Sequence, residues 1–281
     1  MKIKFLFVAA IVAFVLVSCT KESEILDMIT PNGHADPSKS DTTTNSGTDT
    51  TTITPVDTTI VTIQNPTTIS GNGEITSRIV NLSDFTEVEL KKIGEVKIVK
   101  GNTYQVEVSD YKNLLSFSKV YLEGKKLVIS YDDVQIIGSK LKVTITIPDK
   151  LSKAIVSGAG SLNIQSGYAT DNFQLILSGS GSILANNINS NKVDITMPGA
   201  GLIEATGTTS NLTLGVKGSG TIKCGELTSN NAICDVSGVG TLFVNAMETL
   251  KVNAMGIGSL TYYGAPALEV NKGNLFTVTK G

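Results

Sequence analysis

This sequence is short of the residues that most often carry chemistry or grip nucleic acid. It has no tryptophan, a single histidine (His34), a single arginine (Arg78) and only three cysteines in 281 residues. One arginine and a formal net charge of -2 leave no basic field for a nucleic-acid partner. One histidine and no C-x-x-C spacing exclude an ordinary zinc site. Long hydrophobic runs are missing as well. The longest apolar stretch is about 14 residues, short of the ~20 that span a bilayer as a helix. Sustained helical periodicity is absent. Gly, Ser, Thr, Asn, Val, Ile and Leu dominate instead, and charged residues make up only 17% of the chain, a β-rich composition.

What is present begins at the N-terminus. Lys2 and Lys4 precede an apolar segment from Phe5 to Leu16, then small Ser18, the layout of a secretory signal peptide over residues 1–18. Cys19 follows at once, in Val15-Leu16-Val17-Ser18-Cys19. This resembles the lipobox of bacterial lipoproteins, whose cysteine is lipidated and becomes the new N-terminus. A plain signal peptide with a chance cysteine is the alternative. The resemblance implies a protein anchored by lipid on Cys19, including an amide-linked fatty acid such as palmitate. One acyl chain holds only marginally, so the membrane partnership needs two or three. Loss of Lys2 and Lys4 with the signal makes the mature chain more acidic.

Residues 19–66 read as a disordered linker. The runs Asp41-Thr42-Thr43-Thr44 and Thr48-Asp49-Thr50-Thr51-Thr52 cannot bury enough apolar surface to offset their ordering entropy. As a flexible coil, ~47 residues span roughly 35–40 Å. His34 lies in this linker, far from any catalytic company. The stretch Thr20-Lys21-Glu22-Ser23-Glu24 is similar to the short acidic export signal of surface lipoproteins in some Gram-negative bacteria, though it lacks two adjacent acids.

Residues 67–281 form the folded domain. Up to Pro148 they read as strands and turns, with extended segments flanking Gly101-Asn102 and a cleanly alternating run from Leu141 to Ile147. From residue 150 an internal repeat takes over. A G-x-G tripeptide recurs six times, at Gly158/Gly160, Gly179/Gly181, Gly199/Gly201, Gly218/Gly220, Gly238/Gly240 and Gly256/Gly258, in steps of 21, 20, 19, 20 and 18 residues. Apolar residues alternate in twos in register with the glycines, as in Phe173-Leu175-Leu177 and Val193-Ile195-Met197. A unit of ~20 residues cannot close a core alone, but stacked units can. Two short strands per unit describe one coil of a parallel β-helix. The glycines fall on the inward parity, where a missing side chain permits a tight bend or a positive φ. Residues 67–148 are expected to add further coils.

Units such as Ser178-Gly179-Ser180-Gly181-Ser182-Ile183 and Lys217-Gly218-Ser219-Gly220-Thr221-Ile222 resemble the GIN domain, in full the putative auto-transporter adhesin, head GIN domain. Phe85, Gly94 to Gly101, Asn113-Leu114-Leu115 and Gly124 to Ile129 fit the same family, so the resemblance covers about residues 70–281. It implies an all-β protein with a right-handed parallel β-helix, secreted or lipid-anchored, and no established catalytic residue.

Other readings of the glycines fail on the neighbouring residues. A dinucleotide fingerprint needs a third glycine, but the position five after each first glycine holds Asn163, Leu184, Glu204, Lys223, Phe243 or Thr261. A calcium ladder needs aspartates where Leu162, Ile183, Ile203, Ile222, Leu242 and Leu260 stand. No cofactor and no metal are therefore expected. Polysaccharide cleavage needs paired carboxylates or cations; Asp194 and Asp235 sit at different offsets and do not stack, and no arginine or histidine lies between 150 and 281. No catalytic residue is expected, and a polysaccharide-processing enzyme is the minor alternative.

Glycan binding without chemistry needs aromatic platforms, for which Tyr262-Tyr263 and Tyr168 are candidates. Against this, Tyr262 continues the inward parity of Leu260 and would cap the last coil. The pair Cys224 and Cys234 reads as two buried free thiols, with a disulfide as the alternative. The expected function is a non-catalytic envelope lipoprotein at the outer membrane, either a surface adhesin contacting a glycan or an envelope protein, or a periplasmic structural or accessory component.

Overall fold

The computed structural model describes residues 67–281 except 149 and 166. The expected signal peptide, Cys19 and the linker with His34 lie outside the described residues.

The repeat folds as a parallel β-helix. Four long strands, Ser180–Met197, Ala200–Val216, Ser219–Val236 and Val239–Ala254, each run from one G-x-G to the next and bend midway. Each pairs in parallel with the next through nearly its whole length. Equivalent residues therefore stack one above another. One arm of the coil contributes the ladder Ile183, Ile203, Ile222, Leu242 and Leu260. The other contributes Ile195, Leu214, Cys234 and Val252. All of these side chains are fully buried. Their burial follows from period-two alternation, which sends every second residue inward. Each such aliphatic side chain stabilises the fold by about 1.5–3 kcal/mol.

The glycines act differently from expectation. They stand at the corner between the two arms, and their absent Cβ positions point along the stack rather than into the core. A Cβ on Gly199 would meet the carbonyl of Gly179 inside 3.0 Å, and one on Gly218 would meet the carbonyl of Gly199 in the same way. The same collision recurs from Gly181 on Gly160 to Gly258 on Gly240. Gly240 alone departs from it, facing the side chains of Val216 and Leu242 at 3.2 and 3.3 Å. Positive φ is confined to a few positions, such as Gly201 and Gly258, both at 139°. Close approach of one coil to the next, not backbone freedom, is the common requirement.

Residues 67–148 do add layers to the stack, but not in chain order. Glu87–Leu90 and Ile93–Lys100 form a coil directly beneath Lys153–Val156 and Ala159–Ile164, with Gly94 opposite Gly160. The layer beyond it is built from later residues, Lys126–Tyr131 and Lys142–Ile147. Stacking order and chain order thus part company. Leu141, almost fully buried, lies against Gly94, 3.0–3.2 Å from where its Cβ would be, and ends the glycine column with a side chain. Outside this layer the strands turn antiparallel. Gln105–Tyr111 pairs with Lys142–Ile147 and with Ile75–Val80, and Ser118–Glu123 forms a hairpin with Lys126–Tyr131. An antiparallel cap removes the open parallel edge at this end of the stack. Among the described residues the helical content is one turn, Lys112–Leu115.

Polar groups tie the cap down. Asp110 is fully buried and accepts hydrogen bonds from the Tyr131 hydroxyl, from Ser139 Oγ (3.2 Å), and from the backbone N–H groups of Tyr111 and Lys140 (both 2.8 Å). Burial, then the hydrogen bond to Asp110, pushes the Tyr131 hydroxyl well above the ordinary tyrosine range. Nearby, Lys126 Nζ bridges Glu89 (2.5 Å) and Glu123 (3.1 Å), and Lys91 also reaches Glu123 (2.9 Å). Burial alone would raise the Glu89 carboxyl, but hydrogen bonds from Lys126 and Ser157 outweigh it and hold it low. The hydrogen bonds from Lys91 and Lys126 draw Glu123 from 4.5 down to about 2.

Two outcomes follow. Leu214→Asp places an unpaired carboxylate in the core and costs several kcal/mol, enough to unfold the domain, whereas half-buried Thr213→Asp is tolerated; circular dichroism of both variants checks this. Glu123, drawn from 4.5 down to about 2, contributes stability that is full above pH 4.5 and lost as pH falls toward about 2. The urea midpoint should therefore decline across that window. Glu123→Gln should start lower and decline less steeply; an unchanged slope would show that Glu123 contributes nothing to the acid dependence.

Candidate functional site

The steps between G-x-G units are unequal, and the surplus residues gather at the second corner of the coil. Cys224 pairs with Val244, but the next pair is Thr228 with Asn245. Gly225, Glu226 and Leu227 therefore have no counterpart in the following coil. Leu227 turns inward and is fully buried, while Glu226 projects into solvent. The extra residues form a lip, and the shorter coil beside it leaves a recess.

That recess is a cavity of about 580 Å³ opening on the flank of the stack, a size within the range of small-molecule sites, roughly 300–1,000 Å³. Its aromatic residues are Phe243, half-buried, and Tyr263, 36% exposed. Both border Gly225: a Cβ there would lie 3.0 Å from the Tyr263 ring and 3.9 Å from Phe243 Cβ. The missing side chain lets the tyrosine ring lie against the lip. Polar groups surround the rings. Glu204 and Lys223 face each other at 3.9 Å, both substantially exposed, a pair worth no more than about 1 kcal/mol in solvent. Asn245 donates from Nδ2 to the Gly225 carbonyl (3.3 Å), and its own carbonyl accepts from buried Ser229 Oγ (2.7 Å). These bonds fix the lip against the neighbouring coil.

Glu204, Lys223 and Phe243 belong to one column, the position five after each first glycine. In the sequence that column served only to reject a dinucleotide fingerprint. In the structure it is the outward ladder that walls the recess. Strand parity combined with the repeat register would have found it, since five is odd and the inward positions are even. Tyr263 was a candidate and does reach the recess. Its neighbour Tyr262 is half-buried against the core, as the inward parity implies, but it does not cap the last coil. A further layer, Ala267–Lys272 and Phe276–Lys280, stacks beyond it, and Tyr262 pairs with Lys280. Tyr168 is only 1% exposed and cannot serve as a platform.

The remaining candidates stay apart. Asp194 is held by Lys192 (2.7 Å) and Asp235 by Asn253 (2.9 Å), and neither aspartate stacks on the other. The twelve repeat glycines are structural, as described above. Among the described residues, no group of three or more His, Cys, Asp or Glu side chains could hold a metal ion. No helix among them is long and apolar enough to cross a membrane. Cys224, directly beneath the recess, and Cys234 are both buried and free. Burial drives both thiols far above the ordinary cysteine range, with Cys234 adding to the effect on Cys224 and Asp235 to that on Cys234.

The family model described as putative auto-transporter adhesin, head GIN domain, matches residues 84–266. Solved structures share the fold. A putative adhesin from Bacteroides fragilis is 24% identical, with a TM-score of 0.70, covering 76% of this chain and 100% of that one. A putative adhesin from Parabacteroides distasonis is 21% identical with a TM-score of 0.62, over 76% and 100% of the two chains. A protein from the same organism described as a putative lipid binding protein is 19% identical with a TM-score of 0.58, over 76% and 99%. No curated protein matches the chain.

The buried thiols generate a direct test. Native, unreduced protein should label weakly at Cys224 and Cys234, because the reactive thiolate is suppressed by burial. Unfolding without reductant should expose two free thiols in the domain. Finding none would mean that a disulfide joins the two arms.

Proposed function

Because this chain belongs to the putative auto-transporter adhesin, head GIN domain family, we propose that it is a non-catalytic binding module of the bacterial cell envelope. In this reading a lipid on Cys19 holds it at the outer membrane, and residues 19–66 tether the β-helix at the cell surface. The observation that carries the reading is the aromatic recess on the flank of a rigid stack. Binding needs a preformed concave surface with rings and a few polar groups, and the recess has both. The carboxylates beside it are not arranged for hydrolysis. Glu204 faces Lys223, Glu226 is exposed, and glycoside hydrolysis uses a carboxylic acid in an apolar setting. The family description supports an adhesin over an enzyme.

A second reading, an accessory subunit on the periplasmic face, draws on a different observation. Val239 and Ile257 are stacked neighbours at the corner, each 50% exposed, a surface that suits a protein partner.

Anchoring and exposure are testable together. Cys19→Ala should abolish labelling by a radiolabelled fatty acid and move the protein from the membrane fraction to the soluble one. Protease added to intact cells should remove the wild-type domain. Unchanged membrane partitioning of the variant contradicts the anchor, and protection from protease on intact cells favours the periplasmic reading.

A further inference from the structure

We infer that the recess between Glu226 and Tyr263 is a saccharide subsite, and that its ligand is an uncharged pyranose ring. The inference deepens the binding-module reading and rests on it. The rings come first. Phe243 and Tyr263 both lie beside the Gly225 lip and present apolar surface within a cavity of about 580 Å³. A pyranose with equatorial hydroxyls carries a face of C–H bonds that suits an aromatic surface, while its edge needs donors and acceptors. Thr206, Asn245, Lys223, Glu204 and Glu226 line that edge. Glycine at 225 is part of the site rather than of the fold's corner ladder, because its absent Cβ is set against the Tyr263 ring, not against a carbonyl of the preceding coil.

Charge then selects the class of sugar. Lys223 is engaged with Glu204, which leaves Glu226, exposed on the lip, as the uncompensated charge. A uronic or sialic acid would bring its carboxylate beside that group. One like-charge contact at about 4 Å in water corresponds to roughly fivefold in affinity. A basic peptide would be drawn to the same carboxylate, and the lysine derivative below tests for it. The arrangement of rings on the floor and hydrogen-bonding groups on the rim fits a neutral ring better than an extended cationic chain.

Saturation-transfer NMR on the full mature chain tests this with defined probes: methyl β-D-glucopyranoside, methyl β-D-galactopyranoside, methyl β-D-glucuronide and an N-acetyl-lysine methylamide. At least one neutral glycoside should receive saturation through its ring protons, with about millimolar affinity, and the glucuronide should bind about fivefold more weakly. Tyr263→Ala should weaken the neutral glycoside roughly tenfold, while Tyr263→Phe retains it. Circular dichroism checks that both variants fold. Glu226→Gln changes only an exposed group, leaves Lys223 paired with Glu204, and should close the gap between glucoside and glucuronide. The inference is overturned if neither neutral glycoside receives saturation, if Tyr263→Ala binds as the wild type does, or if the gap survives in Glu226→Gln. Stronger transfer to the lysine derivative would overturn it in favour of a basic peptide. The purified chain reports on the recess alone, so a negative result leaves the outcome of anchoring and cell-surface exposure standing.

Discussion

Each coil of this protein approaches the next so closely at one corner that the carbonyl oxygen of a glycine occupies the place where the following glycine would carry a Cβ. Two such columns run along the stack, one through Gly158, Gly179, Gly199, Gly218, Gly238 and Gly256 and one through Gly160, Gly181, Gly201, Gly220 and onward, interrupted only at Gly240. Because the corner is this tight, the arms on either side face each other across a narrow interior. Leu, Ile and Val then fill that interior as continuous ladders, with small Cys234 in one of them. The hydrophobic core supplies most of the driving force, but the glycine corner sets the geometry in which that force can act.

The same constraint explains the two ends. At the N-terminal end Leu141 covers Gly94 and antiparallel strands take over, so the column stops and the backbone hydrogen bonds are closed by a different pairing. Asp110 secures that transition by accepting from side chains and from backbone N–H groups on both sides of it. At the other end, among the described residues, Ala267–Lys272 and Phe276–Lys280 each have a strand neighbour on one side only. Leu268 and Val270 of this layer are about two-fifths exposed. Lys272, Lys280 and Glu269 place charge along it, a feature that discourages edge-to-edge association.

Much of the stack was legible from residues alone, because translational repetition writes the same pattern many times. Six G-x-G units in phase with inward Leu, Ile and Val determine which residues stack on which. The reason for the glycines was not legible, since a tight bend, a positive φ and a close approach all select the same residue type. Nor was the cap. Gln105–Tyr111 and Lys142–Ile147 alternate with period two whether they pair in parallel or antiparallel, and their partners lie tens of residues away. The recess was half-legible. The step of 20 residues from Gly218 to Gly238 against 18 from Gly238 to Gly256 announces unequal corners, but not which aromatic rings fill the difference. The recess sits where the repeat is imperfect, which a search for regularity passes over.

The account stands or falls on the glycine corner, and two alanine substitutions within neighbouring coils isolate it. A Cβ on Gly199 would strike the carbonyl of Gly179, whereas one on Gly215 would meet Thr196 Cγ2 at 3.5 Å, an ordinary contact. Equilibrium urea unfolding of Gly199→Ala and Gly215→Ala compares them directly. Gly215→Ala should match the wild type or exceed it by up to about 1 kcal/mol, since glycine weakens a strand interior. Gly199→Ala should lose about 1–3 kcal/mol or more, because two backbones must be forced apart. Equal stability of the two variants would contradict the claim that close approach at the corner, rather than glycine's flexibility, holds the coils in register.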